Sequence, residues 1–147
     1  MDCNSQRSGA LHLTQKVDYG IMLLIALEEA QQENEGAIKS TSVNTMAKEL
    51  NLSTSFLQKI AHLLQKSRLI KAQRGKYGGY KLTNPIEKTT IKDVIEALEG
   101  PIAIVPCIKN TNLCKRTTKC NIKKGLNKLN DEIQNFFLSK TIDQFIS

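Results

Sequence analysis

The chain has 147 residues, 40% hydrophobic and 24% charged, which suits one folded domain with a small appended element and excludes wholesale disorder. Lys and Arg number 21 against 14 Asp and Glu, a net charge of +7, so a polyanionic partner is expected. The excess is not a detached tail, because residues 1–80 carry 10 basic and 7 acidic side chains and residues 81–147 carry 11 and 7. The longest apolar run, Ile21 to Leu27, is far short of the roughly 20 residues of a membrane-spanning helix. Neither a span nor a secretory signal is expected, and the implied address is cytoplasmic.

Residues 1–10 are polar and aperiodic and predict a flexible tail. Val17, Ile21, Leu24, Ile25 and Leu27 to Ala30 follow helical spacing, which ends in the polar stretch from Gln31 to Gly36. Val43, Met46, Ala47 and Leu50 form a short stripe, and Phe56, Leu57, Ile60, Leu63 and Leu64 a longer one. About three residues separate them, with Ser53 placed to cap the second helix, and this is the pattern of a helix-turn-helix. Leu69 to Gln73 and Gly79 to Thr83 then read as two strands around the loop Arg74-Gly75-Lys76-Tyr77-Gly78. A basic hairpin directly after a helix-turn-helix predicts a wing. Thr89-Thr90 caps a short helix through Ile91, Val94, Ile95 and Leu98, ending at Gly100-Pro101. Residues 109–128 are basic with no acidic residue, and Ile122, Leu126, Leu129, Ile133 and Phe136 or Phe137 form a heptad-like seam suited to a partner helix.

The expected architecture is mainly α with a small β-hairpin wing, a winged helix-turn-helix domain plus a long C-terminal dimerisation helix. The expected divisions are a tail at 1–10, the DNA-binding domain at 11–84, a connecting helix at 85–106, a cysteine loop at 107–120, and the dimerisation helix with its tail at 121–147.

Cys107, Cys114 and Cys120 have six and five residues between them, while Cys3 stands apart in the tail. A basic loop favours the thiolate, which binds soft metals. Structural zinc prefers close Cys-x-x-Cys pairs, and His12 and His62 lie outside the loop, so zinc is disfavoured. An iron-sulfur cluster tolerates wider spacing and a non-cysteine fourth ligand. Buried thiols or a disulfide switch within the loop are the alternatives.

These features together resemble the IscR/NsrR family of bacterial winged-helix transcription regulators, the Rrf-two type. The resemblance rests on Leu13-Thr14 with Asp18-Tyr19-Gly20, on Leu52-Ser53-Thr54-Ser55-Phe56-Leu57, on Arg74 to Tyr80 and on the cysteine triplet. It implies a homodimer on a partly palindromic double-stranded DNA operator, with an iron-sulfur cluster in each cysteine loop. It also implies DNA contacts by Ser53, Thr54, Ser55, Phe56 and Gln58, with Arg74 in the minor groove, and Lys59, Lys66 and Lys76 are expected on phosphates. The histidine ligand of the IscR branch is replaced by Lys123. In the NsrR branch an aspartate from the other subunit completes the set, and Asp18 matches it, so a 4Fe-4S cluster is expected ahead of a 2Fe-2S one. The gap between Cys107 and Cys114 is one residue longer than is common in the family. The expected function is regulation of transcription through the cluster, in response to nitric oxide, oxidative stress or iron status. A cluster-free thiol-disulfide regulator is the alternative, and an iron-sulfur electron carrier the reading from another class. No catalytic arrangement is evident, and an enzyme is not expected.

Overall fold

The computed structural model describes residues 12–32, 41–76, 78–110, 112, 114–116 and 119–146. The expected tail with Cys3, most of the polar stretch after the first helix, and Tyr77 of the wing motif lie outside them. In chain order the elements are α1 (Gln15–Gln32), α2 (Val43–Glu49), α3 (Thr54–Lys66), β1 (Ile70–Gln73), β2 (Gly79–Leu82), a 3-10 turn (Ile86–Lys88), α4 (Ile91–Glu99), the one-turn α5 (Pro106–Lys109), α6 (Lys123–Leu138) and a second 3-10 turn (Ile142–Phe145). This is the mainly helical, winged architecture expected.

Local chemistry explains the boundaries. The Ser42 hydroxyl accepts the Thr45 N–H at 3.1 Å and opens α2. Thr90 opens α4 with a reciprocal box: its Oγ1 accepts the Asp93 N–H at 3.2 Å, and Asp93 Oδ2 accepts the Thr90 N–H at 2.9 Å. Ser53 occupies the N-cap of α3 as expected, but its hydroxyl makes no capping bond. Between α2 and α3 the chain turns through Asn51 at φ 52°, a left-handed conformation that asparagine tolerates.

The apolar stripes meet in one core. Leu23, Leu24 and Leu27 of α1, Met46 of α2, Leu57, Ile60 and Leu64 of α3, and Val94 of α4 are almost fully buried. Each large aliphatic side chain so buried contributes about 1.5–3 kcal/mol. Gly20 allows α1 to lie against α4, since a Cβ there would come within 2.5 Å of Leu98 Cδ1.

The strands pair antiparallel from Ile70 opposite Leu82 to Gln73 opposite Gly79. Ile70 and Leu82 enter the core. Thr41 and Tyr80 exchange backbone hydrogen bonds at 3.0 and 2.9 Å, and Gln31 Oε1 accepts the Leu82 N–H at 3.0 Å, so β2 is held to both sides of α2's approach. Gly79 is required at that contact, because a Cβ would sit 2.3 Å from the Thr41 carbonyl oxygen.

The last helix departs from a plain apolar seam. Its buried residue is Asn130, while Ile122, Leu129 and Phe136, seven residues apart, are 61, 46 and 58% exposed. After α6 the chain returns to α4: the Ile142 N–H donates to the Thr89 carbonyl at 3.0 Å, and Ile142 is fully buried. No helix among the described residues is long and apolar enough to cross a membrane.

Candidate nucleic-acid interface and cysteine cavity

The 3.6-residue period of α3 divides it cleanly. Leu57, Ile60, Ala61 and Leu64 are buried, and Ser55, Gln58, Lys59, His62 and Lys66 lie on the opposite, exposed face. Ser53 and Thr54 are exposed at its N-terminus. The missing capping bond leaves the Ser53 hydroxyl uncommitted to the helix. Phe56 is half-buried, edge-on to Tyr19 at 5.7 Å between ring centroids. Its ring braces the start of α3 against α1 rather than standing out with its neighbours.

Arg74 and Lys76 are exposed beside the hairpin turn, which the Gly78 N–H closes on the Gly75 carbonyl at 2.9 Å. Lys71 and Lys81 are direct cross-strand partners, a like-charge pairing that destabilises a hairpin on its own. A wider feature is legible in the sequence but is not captured by motif matching. Residues 50–86, from the end of α2 through the wing, contain no Asp or Glu but hold Lys59, Lys66, Arg68, Lys71, Arg74, Lys76 and Lys81. Lys59, Lys66, Arg68, Lys71, Arg74 and Lys76 are exposed and Lys81 is half-buried, a run of positive charge suited to a polyanion. His62, Arg68, Lys71 and Lys81 thus join the earlier candidates.

Cys107 lies on α5, held by Pro106 at its first position, whereas Cys114 and Cys120 lie in the following segment. All three are half-buried, and all line a single cavity with Ile108, Lys123, Leu126 and Asn127. The space is about 20 Å³, room for one water-sized body. Among the described residues no group of three His, Cys, Asp or Glu side chains is placed to hold a single metal ion. Three soft donors facing one cavity fit a body whose ligands attach to separate irons better than they fit one ion.

The approach to Cys107 is fixed by α6. Asn130 Oδ1 accepts the Ile104 N–H at 3.1 Å, and Gln134 Nε2 donates to the Ile102 carbonyl at 3.4 Å. A second network ties α1 to α4. Thr14 Oγ1 accepts the Val17 N–H and donates to Glu99, while Lys16 Nζ lies 3.2 Å from Glu99 and donates to the Leu98 carbonyl at 3.1 Å. Burial pushes the Glu99 carboxyl up, but the hydrogen bonds from Thr14 and Lys16 and the charges of Lys16 and Lys109 hold it below its ordinary value. Asp18, one turn into α1, is exposed and does not line the cysteine cavity of its own chain.

A helix-turn-helix followed by a basic hairpin, in a stretch of chain without Asp or Glu, defines a winged-helix DNA-binding protein. The Rrf2 family model, described as an iron-dependent transcriptional regulator, matches residues 13–147, and the chain belongs to that family. The transcriptional regulator CymR of Bacillus subtilis strain 168 is 31% identical over 121 residues, covering 82% of this chain and 84% of CymR. The solved structure of that protein, described as the global cysteine regulator of B. subtilis, superposes with a TM-score of 0.67 at 27% identity over 92% of this chain and 95% of that one. An oxidised form of Staphylococcus aureus CymR gives 0.58 at 26% identity over 90 and 93%. The T. potens IscR structure gives 0.63 at 22% identity over 92 and 86%, a likeness of fold. The chain is a transcription regulator of a DNA-binding family, and these relatives are regulators rather than enzymes.

Proposed function

We propose that two copies of this chain bind a partly palindromic operator and that an iron-sulfur cluster in each cysteine loop controls the affinity. Ser53, Thr54, Ser55, Gln58 and Lys59 would meet the major groove, with Phe56 bracing them, while Arg74 and Lys76 would reach the adjacent minor groove and backbone. The exposed row Ile122, Leu129 and Phe136 supports a partner α6 from the second copy. The observation that carries the cluster is the meeting of Cys107, Cys114 and Cys120 at one cavity across 14 residues of chain. Those thiols would hold the cluster, and Asp18 of the other subunit would supply an oxygen ligand. A cluster bound there supplies a centre sensitive to oxidants, nitric oxide or iron supply. Asn130 and Gln134 hold the loop's entry against α6, so a change in loop shape bears directly on the face that carries the partner. Coupling then requires that the two loop states differ in DNA affinity. Iron and acid-labile sulfide content, measured alongside duplex binding before and after chelation, tests this reading.

A second reading is favoured by the small 20 Å³ cavity and by the likeness to a global cysteine regulator and to an oxidised CymR. Here two of the three thiols give two electrons and two protons to a peroxide or a disulfide and form one S–S bond. A mass loss of two hydrogen atoms without iron identifies it.

A further inference from the structure

Arg68 joins α3 to β1 in the left-handed region, at φ 62°. The turn itself is needed. The Arg68 N–H donates to the Gln65 carbonyl at 2.9 Å and the Leu69 N–H to the Leu64 carbonyl at 3.0 Å, which closes the end of α3 and returns Leu69 to the core. Glycine takes this conformation freely and asparagine, through local hydrogen bonding, nearly so, but in other residues the Cβ crowds the neighbouring carbonyl. The chain uses the easy residue in the corresponding turn after α2, Asn51 at φ 52°. After α3 it places an arginine instead.

Nothing inside the described molecule accounts for that choice. The Arg68 side chain is exposed, and no hydrogen bond, ion pair or ring contact engages it among the described residues. Packing does not call for it, since only the backbone of the turn is used. Its surroundings share one character. It follows Lys59, His62 and Lys66 on the exposed face of α3, precedes the opposed pair Lys71 and Lys81, and stands in the acid-free stretch 50–86. An arginine in a conformation that favours glycine thus stands three residues before the like-charge strand pair, and an anion would offset the repulsion of that pair.

We propose that Arg68 is a DNA-backbone contact. Its guanidinium engages a phosphate beside the groove that α3 enters, so that Lys66, Arg68 and Lys71 continue the interface from the reading helix into the wing. The fork of N–H donors matches two phosphate oxygens, and such a contact sets register and affinity without reading sequence. The proposal rests on the DNA-binding role of α3 and the wing.

The test uses the full chain and a duplex that the parent protein selects from a random-sequence pool, with binding followed over a salt series. Arg68→Gly should raise the thermal midpoint by a few degrees, because the turn is relieved. The same variant should bind several-fold more weakly on every duplex, with a salt slope shallower by about 0.9 per protomer. Arg68→Gln keeps the strained turn and loses the charge, so it should show the same change of slope without the gain in stability. Parent-like affinity and slope in both variants would overturn the proposal. So would weak binding by Arg68→Gly alone, which would assign the effect to the turn. A parent protein that selects no duplex would overturn both the proposal and the DNA-binding role beneath it.

Discussion

Replacing Asn130 by alanine should loosen the cysteine site from a distance. Asn130 is only 2% exposed, and its Oδ1 is the acceptor for the Ile104 N–H, three residues before Cys107. The substitution removes that acceptor, leaves a half-buried N–H without a partner and opens a small void against α6. A buried donor left unsatisfied costs about 1–3 kcal/mol, and the partial exposure of Ile104 places this one near the lower end, about 1–2 kcal/mol. For a chain of this size that lowers the thermal midpoint by roughly 3–6 °C. The more specific readout is the alkylation rate of Cys107, followed by mass spectrometry, which should rise because the segment 101–106 loses the nearer of its two anchors on α6. Duplex binding by protein free of metal should change little, since α3 packs on α1, α2 and α4 and the wing on α1 and α3, while α6 packs on α4. An unchanged midpoint together with unchanged alkylation of Cys107 would refute the claim that α6 holds the entry to the cavity.

Arg74→Ala should weaken duplex binding and make its salt slope shallower by about 0.9 per protomer; an unchanged salt series would remove Arg74 from the interface. Asp18→Ala should leave folding intact, because the side chain is exposed, but should speed loss of the cluster absorbance on exposure to nitric oxide. A parent-like spectrum and decay would require another fourth ligand. Glu99→Gln should destabilise the protein in a pH-dependent way. The Glu99 carboxyl is held below its ordinary value, so its contribution is present above that value and is lost as pH falls through the lower, folded-state one. Unfolding midpoints of parent and variant should therefore differ at neutral pH and converge in acid, with the difference reduced by salt because the group is partly solvated. Curves that stay parallel to low pH would show that the Thr14–Lys16–Glu99 network does not stabilise the junction of α1 and α4.

Much of the fold is legible in the sequence for simple reasons. The 3.6-residue stripes of α1 to α4 each have one buried face, and Thr90 with Asp93 announces the start of α4 through its own capping chemistry. The glycines around Lys76 delimit the hairpin, whose register then follows from burying Ile70 and Leu82. The last helix was harder to read, because its buried position is the polar Asn130, which answers a backbone donor 26 residues earlier rather than an apolar neighbour. Spacing identified the three cysteines but could not place them at one cavity, since that depends on how α5 and the start of α6 fold toward each other. Phe56 was legible as a residue of the second helix, but not its contact with Tyr19, a partner 37 residues away. Arg68 escaped because its significance lies in a backbone angle, and the acid-free stretch because motif matching looks for residues present rather than absent.

The most direct test of cluster control is the iron and acid-labile sulfide content of protein purified without oxygen. Control by a cluster at Cys107, Cys114 and Cys120 predicts about four of each per chain, or about two of each for the smaller cluster, together with duplex binding that changes when the iron is chelated. Neither element, even after reconstitution with iron and sulfide, would contradict it and leave the thiols themselves as the switch.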